Sequence, residues 1–194
     1  MRSEIVKIHN QMKITTIYVT HDQTEASTMA SHIVILNQGE IQQIGTPEGI
    51  YSYPDNEFVA TFIGSPSINM MTITNHIDAW YINGLKIADQ SAIDCTSQIQ
   101  CRLGIHPEDL KLITNIEESQ YPIQLSHLVI DLVELTGAYQ LLHCHLENQK
   151  IIAAVDSNLN FNIAQTVSFV INPTDAHYFN ISSGERLRQE VTSQ

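Results

Sequence analysis

The chain has 194 residues, 43% apolar and 15% charged, a balance that excludes a disordered acidic tail or a coiled coil. No run approaches the roughly 18 apolar residues of a membrane helix, so a soluble chain is expected. Nine Lys and Arg against 21 Asp and Glu give a net charge of −12, and protonating all nine His still leaves −3. With no basic cluster to neutralise phosphates, nucleic acid is excluded as a partner and anionic lipid is disfavoured.

The chain opens with Ile5, Ile8 and Met12 at helical spacing, with Ser3 placed to cap them. Thr15–Thr20 is dense in β-branched and aromatic residues and stops at His21-Asp22, which predicts a buried strand. A helix from Asp22 to about Ala30 follows, with Asp22 as N-cap and Glu25 at the third helical position. Ile33–Leu36, Asn37-Gln38-Gly39 and Glu40–Ile44 spell a hairpin. Thr46-Pro47 starts another helix and Asn56 a further short one, before Gly64-Ser65-Pro66-Ser67 breaks the chain. Such a helix–strand–helix–hairpin piece cannot cover both faces of a parallel sheet, so residues 1–66 read as the last part of a larger α/β domain.

Beyond residue 66 the pattern becomes short β segments, expected at 70–75, 77–82, 85–88, 99–105, 110–113, 123–134, 139–146, 150–155 and 166–172. Asn83-Gly84, His106-Pro107, Tyr121-Pro122, Thr136-Gly137, Glu147-Asn148 and Asn172-Pro173 supply the turns, and a helical turn fits only between Asp156 and Gln165. Cys95, Cys101 and Cys144 form an odd set without C-x-x-C spacing, which predicts reduced thiols in a cytoplasmic chain. No apolar core follows the basic residues of the N-terminus, so no signal peptide is expected.

Three stretches invite a chemical reading. His21 falls at the carboxyl end of the predicted strand, where ligands gather in doubly wound domains, and a histidine there can hydrogen-bond a γ-phosphate or its attacking water. An ordinary loop histidine is the plainer account of the spacing. His143 and His145 share one face of a strand while Cys144 points away, and no third ligand is identifiable, so no metal site is expected. Glu117-Glu118 fits a solvated turn, and Trp80 fits core packing.

The string Ile17–Ala26 closely resembles the switch-histidine segment of ABC transporter ATPase subunits. The likeness continues through Ile33–Pro47, Tyr51, Pro54, Phe58-Val59-Ala60, Phe62–Pro66 and Asn69, in the pattern of the carbohydrate-importer branch, the maltose and glycerol-3-phosphate ATPases. It resumes at Gly104–Leu110, Val133–Gly137 and Asn172–Phe179. The resemblance implies a mostly β, α+β chain: a C-terminal remnant of the ABC nucleotide-binding domain over 1–66, then an OB-like (TOBE/MOP-type) β-barrel regulatory domain over 67–194. His21 would be both the catalytic switch residue and the nucleotide contact, in the context of a full ATPase domain. A homodimer docked on permease transmembrane subunits, peripheral on the inner face of the cell membrane, is also implied, with a regulatory protein as a further partner.

Departures from that pattern are large. The sequence holds no Gly-x-x-x-x-Gly-Lys-Ser/Thr loop, no Leu-Ser-Gly-Gly-Gln signature and no apolar strand ending in Asp-Glu. Val129–Glu134 imitates the last of these but lies in the regulatory half. Phosphoryl transfer rests on positioning and charge neutralisation, so ATP and magnesium are expected only for a complete subunit and no cofactor for this chain alone. The alternative is a stand-alone OB-like module binding a small ligand or an oxyanion.

Overall fold

The computed structural model describes residues 2–93, 95, 99–113 and 122–187. Two compact units emerge, Met1–Gly64 and Ser65–Gln194.

In the first unit, α1 (Arg2–Met12) precedes α2 (Gln23–Met29), a hairpin of β1 (Ile33–Asn37) and β2 (Glu40–Gly45), α3 (Pro47–Ser52) and α4 (Glu57–Phe62). Ser3 lies inside α1 rather than capping it. Local chemistry starts the later helices: Thr46 Oγ1 accepts from Gly49 N–H at 3.0 Å, and Asn56 Oδ1 from Val59 N–H at 2.9 Å. Gln38 and Gly39 take positive φ, 52° and 85°, the pair a tight hairpin turn requires. Ile35, Ile50, Val59 and Ile63 are buried together, with Ile33, Tyr51 and Phe58 packed against them.

The predicted strand at 15–20 does not form. Residues 14–20 are irregular and pair with nothing in a ladder, leaving Ile17 89% and Val19 90% exposed. Strand propensity spans only about 1 kcal/mol per residue and depends on packing against neighbours. Without an adjacent strand to share hydrogen bonds, the β-branched run has nothing to be a strand against.

In the second unit the alternating pattern is realised as antiparallel strands: β3 (Asn69–His76), β4 (Ala79–Ile82), β5 (Leu85–Asp89), β6 (Gln100–Ile105), β7 (Lys111–Leu112), β8 (Ile123–Leu135), β9 (Tyr139–Leu146), β10 (Gln149–Asp156), β11 (Thr166–Ile171) and β12 (His177–Asn180). They form one sheet in the order β10-β9-β8-β5-β4-β3-β6-β12, with β11 pairing β8 and β7. Its inward positions bury Trp80, Phe169 and Tyr178 with Met71, Ile73, Leu103, Leu125 and Leu142. Asn83 and Gly84 turn β4 into β5 with φ of 49° and 83°.

The sheet curls until β10, at one end of the order, returns to β3. Asn69 joins them: its Oδ1 accepts from Ile152 N–H at 2.7 Å, and its Nδ2 donates to Ile152 O at 2.8 Å and Ile105 O at 3.2 Å. One buried side-chain amide thus reproduces a strand-to-strand pair. The helical turn expected within 156–165 is absent. There Asp156 Oδ1 instead accepts from Asn158 N–H at 2.8 Å, a side-chain turn that competes with helix. Strand β12 is an addition; four residues are too short to announce themselves by alternation.

Candidate functional site

His21 stands exposed immediately before the N-cap of α2. The cap is built as the sequence suggests on one side only. Asp22 Oδ1 accepts from Thr24 N–H at 2.8 Å and Glu25 N–H at 3.1 Å. Glu25 turns the other way, accepting from Thr20 Oγ1 at 2.8 Å and Tyr18 Oη at 3.1 Å, while Asp22 N–H donates to Thr20 Oγ1 at 2.9 Å. The loop presenting His21 is therefore braced by side chains on both sides of it. Asp22→Ala should cost about 1 kcal/mol of local stability, read as faster hydrogen exchange at Thr24 and Glu25 with little change elsewhere.

Gly104–Leu110 and Asn172–Phe179 meet in space. Strands β6 and β12 pair with His177 opposite Gly104. Each segment carries an X-Pro turn, Pro107–Asp109 after His106 and Pro173–Asp175 after Asn172. A Cβ at Gly104 would come within 3.0 Å of Ile68 Cδ1, 3.1 Å of Met70 Sδ and 3.2 Å of Phe179 Cε2, so these side chains pack over the strand where this residue has no side chain of its own. His106 and His177 are both buried and lie edge to face, ring centroids 5.6 Å apart. Burial first, then Arg186 and His106, lower the His177 pKa to about 4. Burial, then the neighbouring charges of Asp175 and Glu108, raise Asp109 to about 6, with Lys111 opposing. Val133–Gly137 ends β8 and turns it, Thr136 N–H donating to Tyr139 O at 3.1 Å.

His143 and His145 lie on the solvent side of β9 with Cys144 buried between them. The sequence reading missed their partners across the strand. His143 Nε2 bonds Glu134 Oε2 at 3.1 Å, and His145 Nδ1 bonds Asp131 Oδ1 at 2.8 Å. Asp131 reaches this position because the β8–β9 register shifts between Ile130 and Leu132. Among the described residues no three His, Cys, Asp or Glu side chains converge as metal ligands.

The three cysteines are free and buried. Burial pushes Cys144 up to about 12, and a hydrogen bond with Cys95, followed by burial, pushes the Cys101 thiol upward as well. Thiols held protonated are inert nucleophiles. Glu117 and Glu118 lie outside the described residues. No helix among the described residues is long and apolar enough to cross a membrane.

Residues 103–179 match the TOBE domain family. The chain is 34% identical to the oligosaccharides import ATP-binding protein MsmX of Bacillus subtilis, over 97% of this chain and 53% of that protein. It is 36% identical to the sn-glycerol-3-phosphate import ATP-binding protein UgpC of Vibrio cholerae, over 100% of this chain and 51% of that protein. The chain thus spans about half the length of the curated relatives it matches. Among solved structures, the cytoplasmic molybdate-binding protein ModG covers 57% of this chain and 94% of its own, with 12% identity and a TM-score of 0.43.

Proposed function

We propose that the chain, whose residues 103–179 match the TOBE domain family and which is similar along its length to ATP-binding proteins of ABC importers, is the regulatory portion of such a subunit. Similarity along its whole length to oligosaccharide and glycerol-3-phosphate import proteins carries this reading. In it, residues 1–66 close the nucleotide-binding domain and residues 67–194 form an OB-like regulatory domain that mediates dimerisation and tunes ATP-driven uptake of a sugar or sugar-like solute. Its partners are a second subunit, the permease, which holds it at the inner face of the membrane, and a regulatory protein.

The exposed apolar run ending at His21 supports the assignment of the first unit. Ile17 and Val19 become strand residues once neighbouring strands pair with them, and His21 then sits at a strand's carboxyl end facing nucleotide. ATP and magnesium belong to that assembled site, where His21 contacts the γ-phosphate. The chain by itself offers no lysine in a glycine loop and no magnesium carboxylate of the expected motif.

Two measurements on the full chain test this. Light scattering should give twice the 21.8 kDa monomer mass, and titration with Mg-ATP should show no saturable binding at micromolar concentrations. A strict monomer would remove the dimerising role, and micromolar nucleotide affinity would overturn the regulatory-portion reading.

A further inference from the structure

The β8–β9 hairpin carries a pair of imidazoles whose orientation is already fixed. On a strand, residues two apart point to the same face with Cα atoms roughly 6.6–6.8 Å apart. His143 and His145 meet that condition on β9, with 31% and 39% of their side chains exposed, open to an ion from solvent. Each ring spends one nitrogen on a carboxylate of β8. A carboxylate only accepts, so the bonded nitrogen carries the proton. In the neutral ring the other nitrogen holds the lone pair, which is Nδ1 in His143 and Nε2 in His145.

We propose that His143 Nδ1 and His145 Nε2 form a two-histidine chelate for a borderline divalent transition-metal ion, with Glu134 and Asp131 as the outer partners that hold the rings. Metal-ligating histidines commonly give their other N–H to a carboxylate, which fixes the tautomer and raises ligand basicity. Two imidazole donors select zinc, nickel, cobalt or copper(II) and not magnesium or calcium, which take oxygen. Because no three side chains converge here, water fills the remaining positions, and the affinity is that of an open surface chelate. Lys150 lies opposite His145 on β10 and opposes the cation, while the chain's net charge of −12 favours it.

Isothermal titration of the full chain with zinc and with nickel, and with magnesium as control, tests the site. One saturable site per chain is expected for zinc and nickel and none for magnesium. His143→Ala or His145→Ala should abolish that site, Asp131→Asn should weaken it about tenfold or more, and Lys150→Gln should tighten it. Urea midpoints matching the parent chain establish that these surface variants are folded. Absence of saturable zinc and nickel binding, or binding unchanged in the double alanine variant, would overturn the site. Unchanged affinity in Asp131→Asn and Glu134→Gln would overturn the role given to the carboxylates.

Discussion

Asn69→Ala is expected to lower the stability of the full chain by about 3 kcal/mol, because one amide supplies the hydrogen bonds that close the curled sheet. Asn69 is 7% exposed and meets both backbone groups of Ile152, 83 residues away, together with Ile105 O. Alanine strands the Ile152 N–H and C=O where water is largely excluded, and a stranded polar group costs about 1–3 kcal/mol. Asn69→Asp should do no better at neutral pH. Its carboxylate keeps the contact with Ile152 N–H but turns a negative oxygen on the carbonyls of Ile105 and Ile152. Gln149, whose Nε2 reaches Met70 O at 3.2 Å from a less buried position, gives the contrast: Gln149→Ala should cost under about 1 kcal/mol. Urea unfolding of the three variants decides the matter. A loss below about 1 kcal/mol for Asn69→Ala would mean that β10 and β3 are held by packing and the Gln149–Met70 contact rather than by Asn69.

That contact marks the limit of what the sequence makes legible. Locally encoded features are plain in it: Thr46-Pro47 and Asn56 start helices, Asn83-Gly84 and Gln38-Gly39 turn hairpins, and alternation places Trp80 inside and His143 and His145 outside. Each is decided within a few residues, by side-chain capping or by the two-residue period of a strand. The closing amide of Asn69 and the pairing of His106 with His177 join distant segments, and neither position carries a local signal of its partner. Asp131 escaped notice for another reason: one inserted residue in β8 changes which side chain faces His145, and alternation counting assumes there is none. Thr15–Thr20 failed in the opposite direction, since its composition specifies strand chemistry while the ladder that would realise it lies outside the segment. His21 was legible only as part of a ten-residue string, and its geometry alone is that of an exposed residue before a helix cap.

The acid response should come from His177 and Asp109, which pull in opposite directions over nearly the same pH range. His177, 6% exposed, has its pKa lowered to about 4 by burial and by Arg186 and His106. Unfolded, it titrates near the usual 6.5. Between those values the unfolded chain takes a proton that the native state refuses, so stability falls as pH drops from about 6.5 to about 4, by about 3 kcal/mol in full. Asp109 behaves inversely. Burial and the charges of Asp175 and Glu108, partly offset by Lys111, raise it to about 6 against 3.8 unfolded, so the native state binds the extra proton. Its ionised form destabilises the fold at neutral pH, and that cost is relieved as pH falls through 6. Asp109 is partly exposed, and solvent screening reduces its effect to about 1 kcal/mol. Asp109→Asn should therefore raise stability by about that amount at pH 7 and steepen the loss on acidification. His177→Gln should flatten that loss and leave the chain relatively more stable at pH 5 than at pH 7 when each is compared with the parent. Urea midpoints from pH 7.5 to 4.5 read both. Parallel curves for parent and His177→Gln would show that the buried imidazole is not what destabilises the native state in acid.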